Sequence, residues 1–392
     1  MKEALLDYES LIYIDRNGTD CVKWDGTKQT FGEAGLLPLW VADMDFQAPA
    51  CVREAVASWA AQGAYGYYKI PDRYYKAFQR WEQLQHGYSV ERDWIRFSPG
   101  IVSAIYWLVQ MLTKPGDTVT TLTPVYYPFL NAIKDNGREL TPCQLVNEGG
   151  KYTMDFDRLD KHFADTQSKL LIFSSPHNPV GRVWLREELE QLCAVCEKHG
   201  VTILSDEIHQ DLVIGDHPHI PTATIYKGRI VTLCSASKSF NLAGLKNSFV
   251  VIPDEQLREQ YDKFVGTIRC ADGPSVGYVA AAAAFEGGLP WLNSIRDRIF
   301  DNYQAVCGEF AERLPEAVIS PLEGTYLLWI DLRKCLDPEQ TKTIVQDVCG
   351  LAVDYGDWFG GDDFKGFIRI NLATSLDNVI LAVSRLLAAL TE

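Results

Sequence analysis

Through the middle of the chain, short unbroken apolar runs alternate with longer stretches in which apolar residues recur every three or four positions. "WIRFS" (94–98) precedes an apolar helix at about 101–112, and "DTVTTLT" (117–123) precedes a helix around "PFLNAIKDNG". "KLLIFSS" (169–175) precedes a helix over 186–199, and "VTILS" (201–205), "RIVTLCS" and "NSFVVIP" follow as further buried runs. Continuous apolar runs with helices between them predict a mostly parallel sheet covered on both faces, an α/β architecture. The C-terminal part changes character. A helical stretch near 289–314, then "TYLLWIDL", "GFIRINLA" and a final helix "LDNVILAVSRLLAALT", predicts a smaller α+β domain. The expected division is a large domain over 48–287 and a small one made of 1–47 with 288–392.

The 392 residues are 47% hydrophobic and 11% aromatic, enough for a large core and two domains. A formal net charge of −15 opposes binding to nucleic acid or an anionic membrane surface and favours a small-molecule substrate. Any phosphate must therefore be held by a local cluster of donors. No stretch reaches the roughly 18 apolar residues of a membrane span. The start, "MKEALLDYESLIYIDRNGTD", is acidic and has no signal-peptide core, so a cytoplasmic location is expected. Ten cysteines without a disulfide-like spacing read as reduced thiols. The one CxxC, Cys193–Cys196, lies in an amphipathic helix with no second pair nearby, and is read as core packing. No metal site is expected.

The candidate chemistry lies just after the apolar runs: Gly100, Tyr126, Asn178, Asp206 and Lys238. Each alone has an ordinary reading: a turn glycine, a core aromatic, a turn amide, a helix cap, a surface lysine. Ligands in open α/β sheets bind outside the carboxyl ends of the strands, and five such residues at that one edge form a constellation. The set suits pyridoxal 5′-phosphate (PLP). Lys238 would form the Schiff base, and Asp206 would keep the pyridine nitrogen protonated so that the ring can draw electrons from the substrate Cα. Asn178 can donate to the phenolic oxygen, and Tyr126 can stack on the ring. The turn in "SPGIVSAI" offers the backbone N–H groups of Ile101 and Val102 to the phosphate at a helix N-terminus. Ser235 and Ser237 add hydroxyls, and Lys246 a positive charge.

The ordered set "SSPHNPVGRVW", "SDEIHQDL" and "SASKSFNLAGLKNS" resembles the fold-type I PLP enzymes, the aspartate aminotransferase superfamily, across essentially the whole chain. "LLPLWVADMDF", "GAYGYYKIPDRYYKAFQRW", "DEIHQDLVIGDHPHIP" and "GTYLLWIDLR" resemble its cystathionine β-lyase (C–S lyase) branch. The resemblance implies a homodimer in which Tyr67, or Tyr65 as an alternative, reaches the partner's phosphate group. It places His209 beside the cofactor and makes Arg369, in "FIRINLA", the grip on the substrate α-carboxylate, with Asn178 at the same subsite. Two departures stand out. Lys246 occupies a position where many aminotransferases have arginine, and Tyr355-Gly356 replaces the usual Pro-Gly near the substrate side chain. "DMDF" (43–46) superficially matches a phosphatase nucleophile, but Gln47 stands where Thr or Val is required.

The expected activity is therefore β-elimination on cystathionine or a related S-substituted cysteine, giving thiol, pyruvate and ammonia. An aminotransferase is the alternative, because both reactions begin with removal of the Cα proton. A ligand-sensing regulator built on the same body is a third reading. The chain has no room for a DNA-binding domain before the resemblance begins, and its acidity opposes one.

Overall fold

The computed structural model describes residues 9–391, so residues 1–8 and 392 of the expected small domain lie outside the described residues. Seven strands form the large sheet: β1 (Ile95–Ser98), β2 (Thr118–Thr123), β3 (Glu139–Gln144), β4 (Leu170–Ser174), β5 (Thr202–Asp206), β6 (Ile230–Cys234) and β7 (Ser248–Val251). Their spatial order is β1-β7-β6-β5-β4-β2-β3. Strands β6, β5, β4, β2 and β3 pair in parallel, while β7 is antiparallel to both β1 and β6. The expected mostly parallel sheet is present with one reversed strand.

That reversal matters for the site. Because β7 runs backwards, its approach through Lys246 and Asn247 arrives at the edge where the other strands end. The order also reverses at β2, whose neighbours are β3 and β4. Crevices of this kind form at such switch points, beyond the carboxyl ends of the strands.

The period of two along each strand divides the core into layers. Leu170 and Ile172 of β4 join Ile105, Leu108, Val231 and Val250 on one face. Leu171 and Phe173 join Phe78, Trp81, Ile203 and Phe249 on the other. Every residue of β4, β5 and β6 is buried, which is why these strands read as largely apolar runs without the alternation of a half-exposed strand. The helices expected at 101–112, 186–199 and 289–314 occupy Ile101–Leu112, Arg186–His199 and Leu289–Arg313. Gly200 closes the second of these at φ 64°, a left-handed cap that glycine adopts without a Cβ penalty.

A separate antiparallel sheet has the order Val318–Ile319, Leu327–Asp331, Phe367–Asn371, Asp354–Tyr355. Leu37–Pro38 from the N-terminal segment pairs in parallel with Leu351–Ala352 beside it. Asp45 of the "DMDF" segment accepts from the fully buried Lys23 Nζ (2.7 Å) and from Trp24 Nε1 (2.9 Å). Its carboxylate thus holds the N-terminal segment together. Cys193 and Cys196 are buried core residues, and all ten cysteines are free. Among the described residues no cluster of ligating side chains could hold a metal ion.

Candidate active site

A cavity of about 440 Å³ opens at the carboxyl edge of the large sheet. Gly100, Ile101, Val102, Tyr126, Asn178, Asp206, His209, Ser237, Lys238 and Lys246 all line it. Ten residues expected from five separated segments are thus brought together. Ala42, Asn247 and Ser248 add to the wall.

At one end the helix Ile101–Leu112 begins without any side-chain cap. The first N–H groups of a helix have no partner within it, so they face the cavity as anion donors aided by the helix dipole. Gly100 has φ 167°, ordinary extended backbone, and a Cβ there would meet no protein atom within 4 Å. The expected glycine turn is therefore corrected: neither backbone nor packing demands glycine here. What the missing side chain leaves is room for a ligand to approach the backbone.

Asp206 terminates β5, and its Oδ1 accepts the Ile208 N–H at 3.1 Å. Burial pushes its carboxyl up to about 7, with the nearby Lys238 charge acting in the opposite direction. A carboxylate so placed needs a cation, and a protonated ring nitrogen would supply one. Lys238 sits in the short helix Ala236–Ser239 that follows β6. Burial lowers its amine to about 8, and Asp43 partly offsets that effect. Its Nζ donates to the Ala42 carbonyl at 2.6 Å, an oxygen that also accepts from the Tyr326 hydroxyl at 2.8 Å.

Ser235 departs from expectation. It caps the lysine helix: its hydroxyl accepts from Ser237 N–H (3.0 Å) and donates to the Asn247 carbonyl (2.7 Å), and it does not line the cavity. Its one O–H is thereby committed to the backbone. His209 is buried, and desolvation pushes its imidazole well below the usual range, so the ring is neutral. Lys246 is exposed at the rim, in the left-handed region at φ 52°.

Arg369 stands behind the wall. Its Nη1 donates to Asn178 Oδ1 at 2.9 Å and its Nη2 to the Trp40 carbonyl at 3.1 Å. It also pairs with Asp354. Tyr67 is fully exposed, and the Tyr65 hydroxyl donates to Ala60 at 2.7 Å; neither lines this chain's own cavity. Sequence reasoning missed Ala42, Asn247, Tyr326 and Asp354. Ala42 and Tyr326 lie inside quoted stretches, but their meeting at Lys238 is a long-range contact that no local pattern announces.

These residues fit PLP. His209 Nδ1 and Asn247 Nδ2 are buried at the cavity without any hydrogen-bond partner, and unpaired buried polar atoms are costly unless a ligand meets them. The cavity also has a bare helix N-terminus for a phosphate, a carboxyl for a ring nitrogen and an amine for an aldehyde.

The fold and cavity together define a PLP enzyme of fold type I. The chain belongs to the aminotransferase class I and II family, whose model matches residues 35–386. It is 36% identical over 386 residues to cystathionine beta-lyase PatB of Bacillus subtilis (strain 168), covering 96% of this chain and 98% of the relative. A PLP-bound putative aminotransferase from Clostridium difficile 630 superposes with a TM-score of 0.94 at 35% identity, covering 98% of this chain and 100% of that one. Cystalysin from Treponema denticola, whose crystal structure contains a pyridoxal 5′-phosphate cofactor, gives 0.93 at 34% identity and 98% of both chains.

Proposed function

We propose that this chain is a PLP-dependent carbon–sulfur β-lyase, cleaving cystathionine or a related S-substituted L-cysteine to thiol, pyruvate and ammonia. The observation that carries the chemistry is the convergence of Lys238 and Asp206 on one cavity whose far end is an uncapped helix N-terminus. The β-lyase outcome is supported by the similarity to PatB over nearly the whole length of both chains.

When bound, PLP supplies an aldehyde that joins an amine and a ring that accepts the electrons of a broken Cα bond. Lys238, Asp206, Asn178, Tyr126, His209, Ser237 and the N–H groups of Ile101 and Val102 would hold it, with Lys246 at the phosphate rim. Asp206 would keep a proton on the ring nitrogen through a charge-assisted bond. Arg369 takes the substrate carboxylate, with Asn178 fixing the guanidinium. Lys238 Nζ removes the Cα proton; because burial brings its amine to about 8, a useful fraction is neutral near pH 7. Tyr126 lies at the wall, where it would stack on the bound ring.

The cofactor-holding body is assigned to 48–287 and the carboxylate-gripping body to 1–47 with 288–392. Pairing of Leu37–Pro38 with Leu351–Ala352 supports joining the N-terminal segment to the latter. A homodimer is assigned, with Tyr67 entering the partner's site; its full exposure in the single chain supports this. Among the described residues no helix is long and apolar enough to cross a membrane. A cytoplasmic location is supported by the ten free cysteines.

Purified protein should absorb as a yellow species, and borohydride reduction should fix the label on Lys238. Pyruvate should form from cystathionine without any added keto acid. Absence of pyruvate, with rapid amino-group exchange from an amino acid lacking a β leaving group, would overturn the lyase reading in favour of transamination.

A further inference from the structure

Asp354 has no part in the chemistry above, yet its carboxylate lies beside the substrate arginine. The strand Asp354–Tyr355 pairs with Phe367–Asn371 so that Asp354 is directly opposite Arg369. Both side chains are buried, at 1% and 2% exposure, and Arg369 Nη2 donates to Asp354 Oδ2. A guanidinium has five N–H donors. One Nη1–H goes to Asn178, and the two on Nη2 go to Trp40 and Asp354. Nε–H has no partner, and neither does Asp354 Oδ1. Nε–H and one Nη1–H therefore remain, on opposite sides of the planar guanidinium, so the Asp354 pair leaves Arg369 no free two-donor fork.

We infer that Asp354 is a positioning and charge-setting residue for the α-carboxylate subsite, holding Arg369 by one side in a pair of zero net charge. This rests on Arg369 being the carboxylate grip. An incoming carboxylate then meets an arginine whose charge is already neutralised. Desolvating a carboxylate beside a neutral pair is far less favourable than beside a lone cation. The subsite thus binds bare carboxylates weakly, and selectivity passes to the substrate amine, which can join the cofactor. The product pyruvate is itself a carboxylate without an amine, so the same device limits its retention.

The probe is propanoate, a carboxylate with no amine, measured on the holoenzyme both as a competitive inhibitor and by the rise in melting temperature it causes. Asp354→Asn keeps an oxygen that can accept from Nη2 but removes the charge. Propanoate should bind the variant at least tenfold more tightly than the parent, and pyruvate inhibition should strengthen with it. Asp354→Ser provides the same loss of charge should the asparagine variant fold poorly. A merely structural role would loosen Arg369 and weaken propanoate binding, which overturns the inference, as does an unchanged constant.

A second readout is the pH profile. Burial raises the Asp354 carboxyl to about 6, against the pull of Arg369. The groups facing it are Arg369 from the neighbouring strand, Tyr126 and Tyr127 from the start of the helix after β2, and Tyr355 beside it. Protonation below about pH 6 reproduces the asparagine variant, so propanoate should bind the parent more tightly as pH falls through that range, and the variant should lack this rise. Arg369→Ala is the control. If it leaves propanoate binding unchanged, the arginine is not the carboxylate grip and both assignments fall. If it abolishes binding while Asp354→Asn changes nothing, only the role of Asp354 falls.

Discussion

Replacing Asp206 by asparagine tests the electronic core of the site. The side chain is 5% exposed, and one oxygen is already occupied by the Ile208 N–H at 3.1 Å. A single oxygen is therefore left for the ring nitrogen. Burial holds this carboxyl near 7 even against the Ile208 N–H and the Lys238 charge, so a protonated ring is the partner that makes ionisation favourable. Asparagine can still accept from Ile208, so the loop keeps its shape, but it cannot keep the ring cationic. The loss is one charge-assisted hydrogen bond, about 1.5–3 kcal/mol. Expressed in the transition state, that is about a ten- to 150-fold fall in kcat/KM. Pyruvate release from L-cystathionine gives the rate, and absorbance of the dialysed protein shows that cofactor is still bound. A variant with full cofactor content and a rate within about threefold of the parent, inside the spread of an ordinary neutral contact, would refute the reasoning.

Arg369→Lys should raise KM by about ten- to 100-fold with little change in kcat, because a point ammonium cannot span Asn178, Trp40 and Asp354 and still reach the substrate; steady-state kinetics separates the two constants. Asp45→Ala strands the buried Lys23 charge and should cost about 3–5 kcal/mol of stability, measured by denaturant unfolding. Glu82 is buried, its Oε2 has no partner, and burial raises its carboxyl from 4.5 to about 8. The folded state thus holds a proton that the unfolded chain has released, and this group's contribution to stability falls as pH climbs from about 4.5 to 8. Glu82→Gln should flatten that decline in melting temperature between these limits. Tyr67→Phe should weaken cofactor retention on dialysis by about tenfold, the value of one hydrogen bond to a charged group, without changing the protein's elution volume.

The central strands are legible because β4, β5 and β6 are buried on both faces, which gives each a short core of adjacent apolar residues with few charges. Their direction is not. The "SFVV" of β7 would look the same running either way, and only its pairing with Cys234 and Ser98 reveals the reversal. The site was legible for a related reason: Tyr126, Asn178, Asp206 and Lys238 each follow a strand closely, so chain order alone brings them to one edge. Arg369 required resemblance, since nothing local distinguishes it from a strand-surface charge. Asp354 was missed because its significance depends on the register between two short strands, which neither strand's own residues reveal. Ser235 shows the limit for side chains whose neighbourhood was right. Its position beside the lysine was plain, but hydroxyl direction is decided by competition with backbone donors and acceptors.

The loop from Ser235 to Asn247 is anchored to adjacent strands at both ends, because β7 returns antiparallel against β6. A segment clamped this way is a short bridge and cannot swing aside as a flap. Amide hydrogens around residue 238 should accordingly be among the slowest to exchange at the cavity wall.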